Sequence, residues 1–540
     1  MPQPLKQTWI GKISTLIFPE DTATRLTPAG RAALRRWVKQ MLIVSLGGIL
    51  FLTLFPFNFD FTNLWERLAS GYSLSPQSPR TGFIRDFVAN IFFFMPLGFC
   101  IAYLRLSRNQ RPLTSLLIAA GLSALVSFTV ETLQIYLFSR FSSMSDLVSN
   151  SIGGAAGWWL GHYYGERLLL ATLRLLRRFV SPGWAGICAV LIAAHLLNMI
   201  HTTITLPDSL RISDWNPDYA LLIGNEQVGR RGWRGTIYSV EICNQAVSPE
   251  AVERLYRNGN HMAALGILPL ISFHFEANGT NPAPAAVDTL EMIWKGAGVP
   301  DSVTGGLVLD GSRWLESSKP ATELTRAIEQ TGRMTLSAVV APADTLQGGP
   351  VRIISLSRDF FQRNFTLGQH LSHLYFRLRT PLSGRNGTNP QLIVPGIFSP
   401  GQPLHLALTY DGSEIVLYRN GVRHPRSLRM IPEMAYFSRR TTLIGDVPES
   451  YLLLYDIAVC FPVGLLLVFV MAGLGFDRKS YALRLTLLAL LLVLCYELIR
   501  SSILGAPLEL PGIFLRAAII LLTYSLFRFP PYVDEISHCG

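Results

Sequence analysis

Apolar runs of roughly twenty residues, recurring about eight times, constrain this chain more than anything else in it. A helix needs that length of predominantly apolar sequence to cross the hydrocarbon core of a bilayer. The runs near 40–57, 86–104, 113–137, 146–165, 184–201, 453–475, 481–499 and 511–528 qualify. The expected fold is therefore a membrane α-helical bundle of about eight spans. Composition agrees, with 49% hydrophobic residues, 15% charged residues and a mean hydropathy of +0.31, outside the usual range for a soluble enzyme.

Between 203 and 450 no run is long enough to span. Apolar and polar residues alternate there, as in LISFHFEA, RMTLSAVVA, LYFRLRT and LHLALTYDGSEIVLYRNGVRH, with turn pairs at Asp411-Gly412 and Asn420-Gly421. Period-two alternation punctuated by such pairs predicts an all-β sandwich inserted between the fifth and sixth spans. The segments 404–422 and 221–256 resemble parts of a laminin-G-like or concanavalin-A-like jelly roll. Their order is unusual, since the closing-type segment comes first and a second LIGD stands at Leu443 to Asp446. One permuted sandwich and a truncated repeat plus one domain both fit.

The formal net charge is +11, yet Lys and Arg roughly balance Asp and Glu across the insert, so no nucleic-acid partner is expected. The basic excess sits beside the spans: Arg31, Arg35, Arg36 and Lys39; Arg105, Arg108 and Arg111; Arg167, Arg174, Arg177 and Arg178; Arg478, Lys479 and Arg484. By the positive-inside rule these are cytoplasmic. Both termini are then expected inside and 203–450 outside a bacterial cytoplasmic membrane. The organisation predicted is a cytoplasmic arm (1–39), a four-helix membrane domain (40–165), a loop and fifth span (166–202), the sandwich (203–450), three further spans (451–528) and a cytoplasmic tail (529–540). The first run lacks a short n-region and a cleavage site, so it is read as a retained span. No Cys-x-x-Cys occurs; Cys100, Cys188 and Cys495 fall in spans, while Cys243 and Cys460 could bridge or stand as separate buried thiols.

Polar residues interrupt the apolar runs at particular places. Glu131 lies on the order of 9 Å, two helical turns, inside the third span, and Gln134 shares its face. Asp146 and Asn150 open the fourth span, Asp86 and Asn90 the second, and Arg140 lies between the third and fourth. A carboxylate at membrane depth costs several kcal/mol unless paired or hydrated, so it marks a candidate site with a partner to be named; Arg140 and Arg85 are the expected partners. Asp146 could also cap its helix beside Ser143 or Ser145. Gly153, Gly157 and Gly161 form a small-x-x-x-small stripe that turns this face toward other helices, and Pro96 and Gly98 interrupt the second span.

DFVANIFFFMPLGF and ETLQIYLFSRFSSMSDLVSNSIGGAAGWWLG resemble the VanZ-like family of small membrane proteins, over roughly residues 40–165. The resemblance carries Asn90, Pro96, Gly98, Glu131, Gln134, Arg140, Asp146, Asn150 and Gly154 as family positions. It implies a cell-envelope role, in glycan or lipid processes, and an association with glycopeptide resistance. The sandwich resemblance implies carbohydrate binding, with Trp215, Trp233 and Trp314 as possible platforms and calcium as a possible cofactor; no other metal is expected, since His370 and His373, although spaced HxxH, sit in strand-like sequence. Three functions remain open: recognition of a lipid-linked glycan or exopolysaccharide, catalysis by Glu131 with Asp146 or Asp86, and a non-catalytic anchor for an envelope complex. No nucleophile motif or metal cluster is apparent, so the balance leans away from an enzyme.

Overall fold

A computed structural model describes residues 28–55, 57, 59, 72–73, 80–105, 111–137, 142–276, 279–282, 290–297, 305–439, 452–475 and 478–528. The chain divides into two compact units, one of residues 1–195, 457–495 and 509–540 and one of 196–456 and 496–508. Arg140 and the second LIGD at 443–446 lie outside the described residues.

The long helices are α1 (Pro28–Leu54), α2 (Arg80–Arg105), α3 (Pro112–Gln134), α4 (Met144–Arg177), α5 (Pro182–Leu210), α9 (Leu452–Gly473), α10 (Arg478–Leu504) and α11 (Leu510–Phe527). Seven of them are long and apolar enough to cross a membrane; α4 is not. α4 is nonetheless the long helix expected at the fourth position, of a different character from the others. Ser, Asn, Gly and His lower its apolarity, and it spends its faces on α2 and α3. It also runs 34 residues, well past 165. The expected basic loop carrying Arg167, Arg174 and Arg177 is helical, as its Leu-rich sequence favours. Likewise Arg31, Arg35, Arg36 and Lys39 lie on α1 and not in a separate arm.

The glycines of α4 decide how this bundle packs. A Cβ at Gly153, Gly157 or Gly161 would stand 2.4, 2.0 and 2.6 Å from the carbonyl oxygens of Ile91, Met95 and Phe99. Four-residue steps on α4 therefore meet four-residue steps on α2, backbone against backbone. Gly98 of α2 answers in kind, its missing Cβ falling 2.0 Å from Gly154 O. The other side of Gly154 meets Ser123 of α3. Phe94, Leu97 and Ile101 of α2 then close a core with Ile49 and Leu54 of α1, Ala119 and Val130 of α3 and Trp158 of α4. Pro96 has no N–H to give Phe92 O, yet α2 continues through it.

The second unit contains two antiparallel sheets. One runs β17 (Val422–Arg429), β16 (Glu414–Arg419), β15 (Leu404–Tyr410), β10 (Met334–Pro342), β4 (Arg234–Cys243), β5 (Ile271–Glu276), β6 (Gly279–Pro282), with β8 (Leu307–Asp310) also on β4. The other runs β14 (Leu392–Val394), β13 (His373–Leu378), β12 (Arg363–His370), β11 (Val351–Ser357), β3 (Leu221–Ile223), β9 (Arg313–Ser317), β7 (Met292–Gly296). Because β3 and β4 lie inside these sheets, the early segment is integral to one sandwich and is not a repeat. Short helices α6 (Pro249–Arg257), α7 (Thr322–Thr331) and α8 (Pro432–Ser438) complete the unit. α6 lays Val252 and Leu255 over Ala407, Val416 and Tyr418. Covered this way, β10, β11, β12 and β15 bury both faces, so their polar residues do not meet water as simple alternation would have it.

Several expectations change as a result. Trp233 is wholly enclosed and donates Nε1–H to Gln369 Oε1 at 2.7 Å, and Trp215 is 4% exposed and donates to Arg379 O at 2.9 Å. Both are core side chains and offer no open face to a sugar. Trp314 is half-buried beneath Gly229, whose Cβ would lie 2.8 Å from its ring. His370 and His373 face each other across the β12–β13 hairpin, and each Nδ1 accepts a backbone N–H, from Gly349 and Gly396. Cys243 and Cys460 are separate buried thiols, not a bridge.

Two predictions follow from packing and burial. Gly157→Ala should lower the thermal midpoint of the detergent-purified protein, at a cost of about 1–3 kcal/mol of overpacking. Gly121→Ala, where a Cβ meets nothing within 4 Å, should be neutral or stabilising by up to about 1 kcal/mol. Equal effects of the two would contradict the close approach. In the sandwich, His405 is buried with Ser337 Oγ 2.9 Å from its Nε2, and burial pulls it down to about 4. Its folded value lies below the unfolded one of about 6.5. The stability it contributes is full above about pH 6.5 and is lost as pH falls through 4, a change on the order of 3 kcal/mol. His370 and His424, also lowered by burial, act in the same direction. Thermal unfolding between pH 7.5 and 4.5 should show this loss, and His405→Gln should shrink it.

Candidate functional site

The polar residues of α2, α3 and α4 are gathered by an antiparallel match between α3 and α4. Along α3, Ser115, Ala119, Ser123, Ser127 and Glu131 recur every fourth residue, and all are buried. That spacing keeps them on one helical face. Opposite them on α4 stand Trp158, Gly154 and Asn150. Trp158 donates Nε1–H to Ser115 Oγ at 3.0 Å, and Asn150 donates Nδ2–H to Ser127 Oγ at 2.9 Å.

The match ends at the connection between the helices. Ser143 is the N-cap of α4, its Oγ accepting from Ser145 N at 3.3 Å. Its own backbone N–H is donated to Glu131 Oε2 at 2.8 Å. This carboxylate thus accepts from the turn that starts the next helix; Arg140, one of its expected partners, lies outside the described residues, and Arg85 stands 3.4 Å from Asp86. A buried carboxylate on a backbone N–H forms a charge-assisted bond, stronger than a neutral one. Beside this turn Ser142 and Ser143 form β2, which pairs in parallel with Tyr72 and Ser73 of β1.

Asp146 is not the cap. It stands in the first turn of α4, where an acidic side chain complements the helix dipole, and accepts from Asn90 Nδ2 of α2 at 3.0 Å. Asp86, exposed one turn before Asn90, is among the charges acting on Asp146. Gln134 donates to Thr53 O of α1 at 3.0 Å. The structure thus joins Asn90 to Asp146, Asn150 to Ser127, Glu131 to Ser143 and Gln134 to Thr53, tying four helices by side-chain bonds. Asn150 Oδ1 and Ser123 Oγ are buried without a hydrogen-bond partner among the described residues.

Sequence reasoning missed Ser115, Ser123, Ser127, Thr53 and the capping role of Ser143. The four-residue Ser/Ala/Ser/Ser/Glu stripe was the signal that would have found three of them. Chemically, the arrangement separates into a sealed part, where Glu131 is 4% and Asn150 5% exposed, and an open part formed by Arg85, Asp86, Asn90 and Asp146. The sealed part holds helices together. The open part presents two carboxylates, a guanidinium and an amide.

In the sandwich, Glu241, His261 and His274 bring one carboxylate and two imidazoles within ligand range of one another. Such a nitrogen-rich set would suit zinc and not calcium, which takes six to eight oxygens. Glu241 already accepts from Met262 N at 2.6 Å and Ser272 Oγ at 2.7 Å, with His274 Nε2 at 3.2 Å. Its oxygens are satisfied by the protein itself.

Residues 42–165, which contain all of the membrane cluster, match the VanZ/LLP1 family. No curated protein and no solved structure matches the chain. Breaking the α3–α4 bonds gives a test of their coupling. Asn150→Ala and Ser127→Ala should each destabilise by about 1 kcal/mol. Together they should cost clearly less than the sum, since one bond is lost in both cases. Additive losses in thermal unfolding would show that the two side chains act separately.

Proposed function

We propose that this multi-pass membrane protein recognises a lipid-linked glycan or an exopolysaccharide of the cell envelope, the open part of the membrane cluster taking the polar headgroup. The observation that carries this reading is the split within the cluster. Glu131, Gln134 and Asn150 are buried and bonded to neighbouring helices, whereas Arg85 and Asp86 are exposed beside Asn90 and Asp146. Carboxylates and an amide suit sugar hydroxyls, and a guanidinium suits a phosphate.

The sandwich would supply the sugar contact, in keeping with its resemblance to concanavalin-A-like folds. With Trp215 and Trp233 in the core, the aromatic surface moves elsewhere. Trp294 on β7 is 37% exposed and has the Arg313 guanidinium 5.9 Å from its ring centre. It is the residue we assign to stacking against a pyranose. A polar cleft of about 540 Å³ lined by Asp208, Arg211, Ser213, Arg326, Glu329 and Gln330 offers a second surface rich in hydroxyl partners. The orientation that goes with this reading puts the sandwich outside the cytoplasmic membrane and the termini inside.

A non-catalytic assembly role is favoured by one specific observation: every bond of the sealed part joins one helix to another. Catalysis by Glu131 is less well served, since that carboxylate is buried and already accepts from Ser143 N. The reading is tested by native mass spectrometry of the detergent-purified protein. A polyprenyl-linked or glycolipid species should co-purify, and Asp146→Asn with Asn90→Leu should reduce its occupancy several-fold while the protein stays folded. A wild-type protein free of any such lipid would leave the assembly role standing alone.

A further inference from the structure

Three arginines are buried on one face of the sheet that contains β11, β12 and β13. Arg352 pairs with Gly368, Arg363 with Ser357, and Arg377 with Thr366, which itself pairs with Ser355. Residues paired across strands, or two apart along one, share a face, so the three guanidinium groups rise from a single patch. They are 1%, 0% and 9% exposed. Burying one charge is costly unless it is paired. Here the buried carboxylate beside them is Glu226, from the turn after β3, at 3.6 Å from Arg352 Nη2.

The hydrogen-bond inventory of the patch is lopsided. Asn225 Nδ2, Thr366 Oγ1, Arg352 Nη2, and Arg363 Nε and Nη1 are all buried without a hydrogen-bond partner among the described residues. Against these donors stands one acceptor in the same condition, Glu226 Oε2. The other atoms are placed with care. Arg352 Nη1 donates to Pro350 O at 2.8 Å, Arg363 Nη2 donates to Phe360 O, and Arg377 Nε donates to Gln391 Oε1 at 2.7 Å. Asn225 Oδ1 accepts from Glu226 N and Arg231 N, fixing the turn over the strands, and Ser355 Oγ donates to Asn225 O at 3.2 Å. Phe360, at the tip of the β11–β12 hairpin, covers the patch, with Arg231 4.7 Å and Arg352 6.0 Å from its ring centre.

Unpaired buried donors on a rigid, positively charged face are the complement of an oxyanion. We infer that this patch is a binding site for a tetrahedral oxyanion, a sulfate or phosphate group, free or esterified to a sugar. Glu226 acts on both Arg352 and Arg363, Asp359 on Arg363 and the further cation Arg231 on Arg352, so the patch stays cationic. Arg352 Nη2 faces Glu226 at 3.6 Å, and the other donors, Arg363 Nε and Nη1, Asn225 Nδ2 and Thr366 Oγ1, can serve the several lone pairs of such a group. Burial together with Arg352 and Arg377 pulls Arg363 down to about 8 and Arg352 to about 10. A guanidinium nonetheless keeps its proton, so the unfilled patch carries the cost as electrostatic repulsion that an anion relieves. Because the guanidinium atoms are enclosed, the ion enters when the Phe360 tip moves aside. This site is separate from the membrane cluster, and its fate does not bear on the lipid-linked reading.

The test uses the full-length protein in detergent. Sodium sulfate and sodium phosphate should each raise the thermal midpoint saturably, by roughly 5 °C at a hundredfold excess over the dissociation constant, beyond sodium chloride of equal ionic strength. Equilibrium dialysis with labelled sulfate should give one ion per chain. Arg363→Met, which removes a buried charge of similar volume, should fold at least as stably without anion and lose the sulfate-dependent shift. Thr366→Val, a gentler change, should weaken sulfate binding several-fold, and it serves if Arg363→Met does not fold. A hexose phosphate competing with labelled sulfate would identify an ester as the source, and inorganic ions alone would identify the free anion; both uphold the site. A sulfate shift no larger than that of chloride, or one retained in Arg363→Met and Thr366→Val, would overturn it.

Discussion

The membrane part of this protein rests on one contact, the seating of α4 glycines directly on α2 carbonyl oxygens. Lipid tails are as apolar as leucine, so helices in a bilayer gain little from burying apolar side chains against one another. Close packing and hydrogen bonds must hold them together instead. Gly153, Gly157 and Gly161 allow the backbones to meet at Ile91, Met95 and Phe99. That approach brings Asn90 within 3.0 Å of Asp146. It also sets α4 where Asn150 and Trp158 reach the serines of α3. Remove the glycines and the polar bonds lose their geometry, leaving unsatisfied groups in a medium with no water to satisfy them.

Much of this was legible in the chain. The apolar runs correspond to long helices, and the glycine repeat marked the buried face of α4. Asn90, Asp146 and Asn150 were each recognised as members of a polar set, although their partners were not. The misreadings share a cause: residue type says that a group needs a partner, but not which atom supplies it. Glu131 accepts from the Ser143 backbone amide, a partner that residue type alone did not suggest. Trp233 looked like a sugar platform, yet its indole meets Gln369 inside the sandwich. The serines of α3 were passed over because single serines do not break an apolar run. α4 turns small and polar residues toward α2 and α3 and leaves Val148, Ile152, Trp159 and Tyr163 exposed on its other side, so its run is less apolar than the rest.

Both units give many of their buried polar groups specific partners. In the helical bundle, buried amides and carboxylates are shared out in pairs, each joining one helix to another. In the sandwich, Glu241 is surrounded by Met262, Ser272 and His274, as fully served as anything in the bundle. The arginine patch differs, with donors in excess and guanidinium groups that also donate to Pro350, Phe360 and Gln391.

The strand order of the sandwich bears on how the protein is made. β4 pairs along its length with β10, Cys243 standing opposite Thr335, and β3 lies between β9 and β11. β3 must wait for β9 and β11, synthesised roughly a hundred residues later, about 5–20 s at ordinary elongation rates. β4 can meet β5, the next strand, much sooner, but gains β10 only after a similar wait. Non-local pairings of this kind are slow to form. Until β9 and β11 arrive, Leu221, Leu222 and Ile223 have no strand beside them, so the sandwich closes only when most of its length has been made.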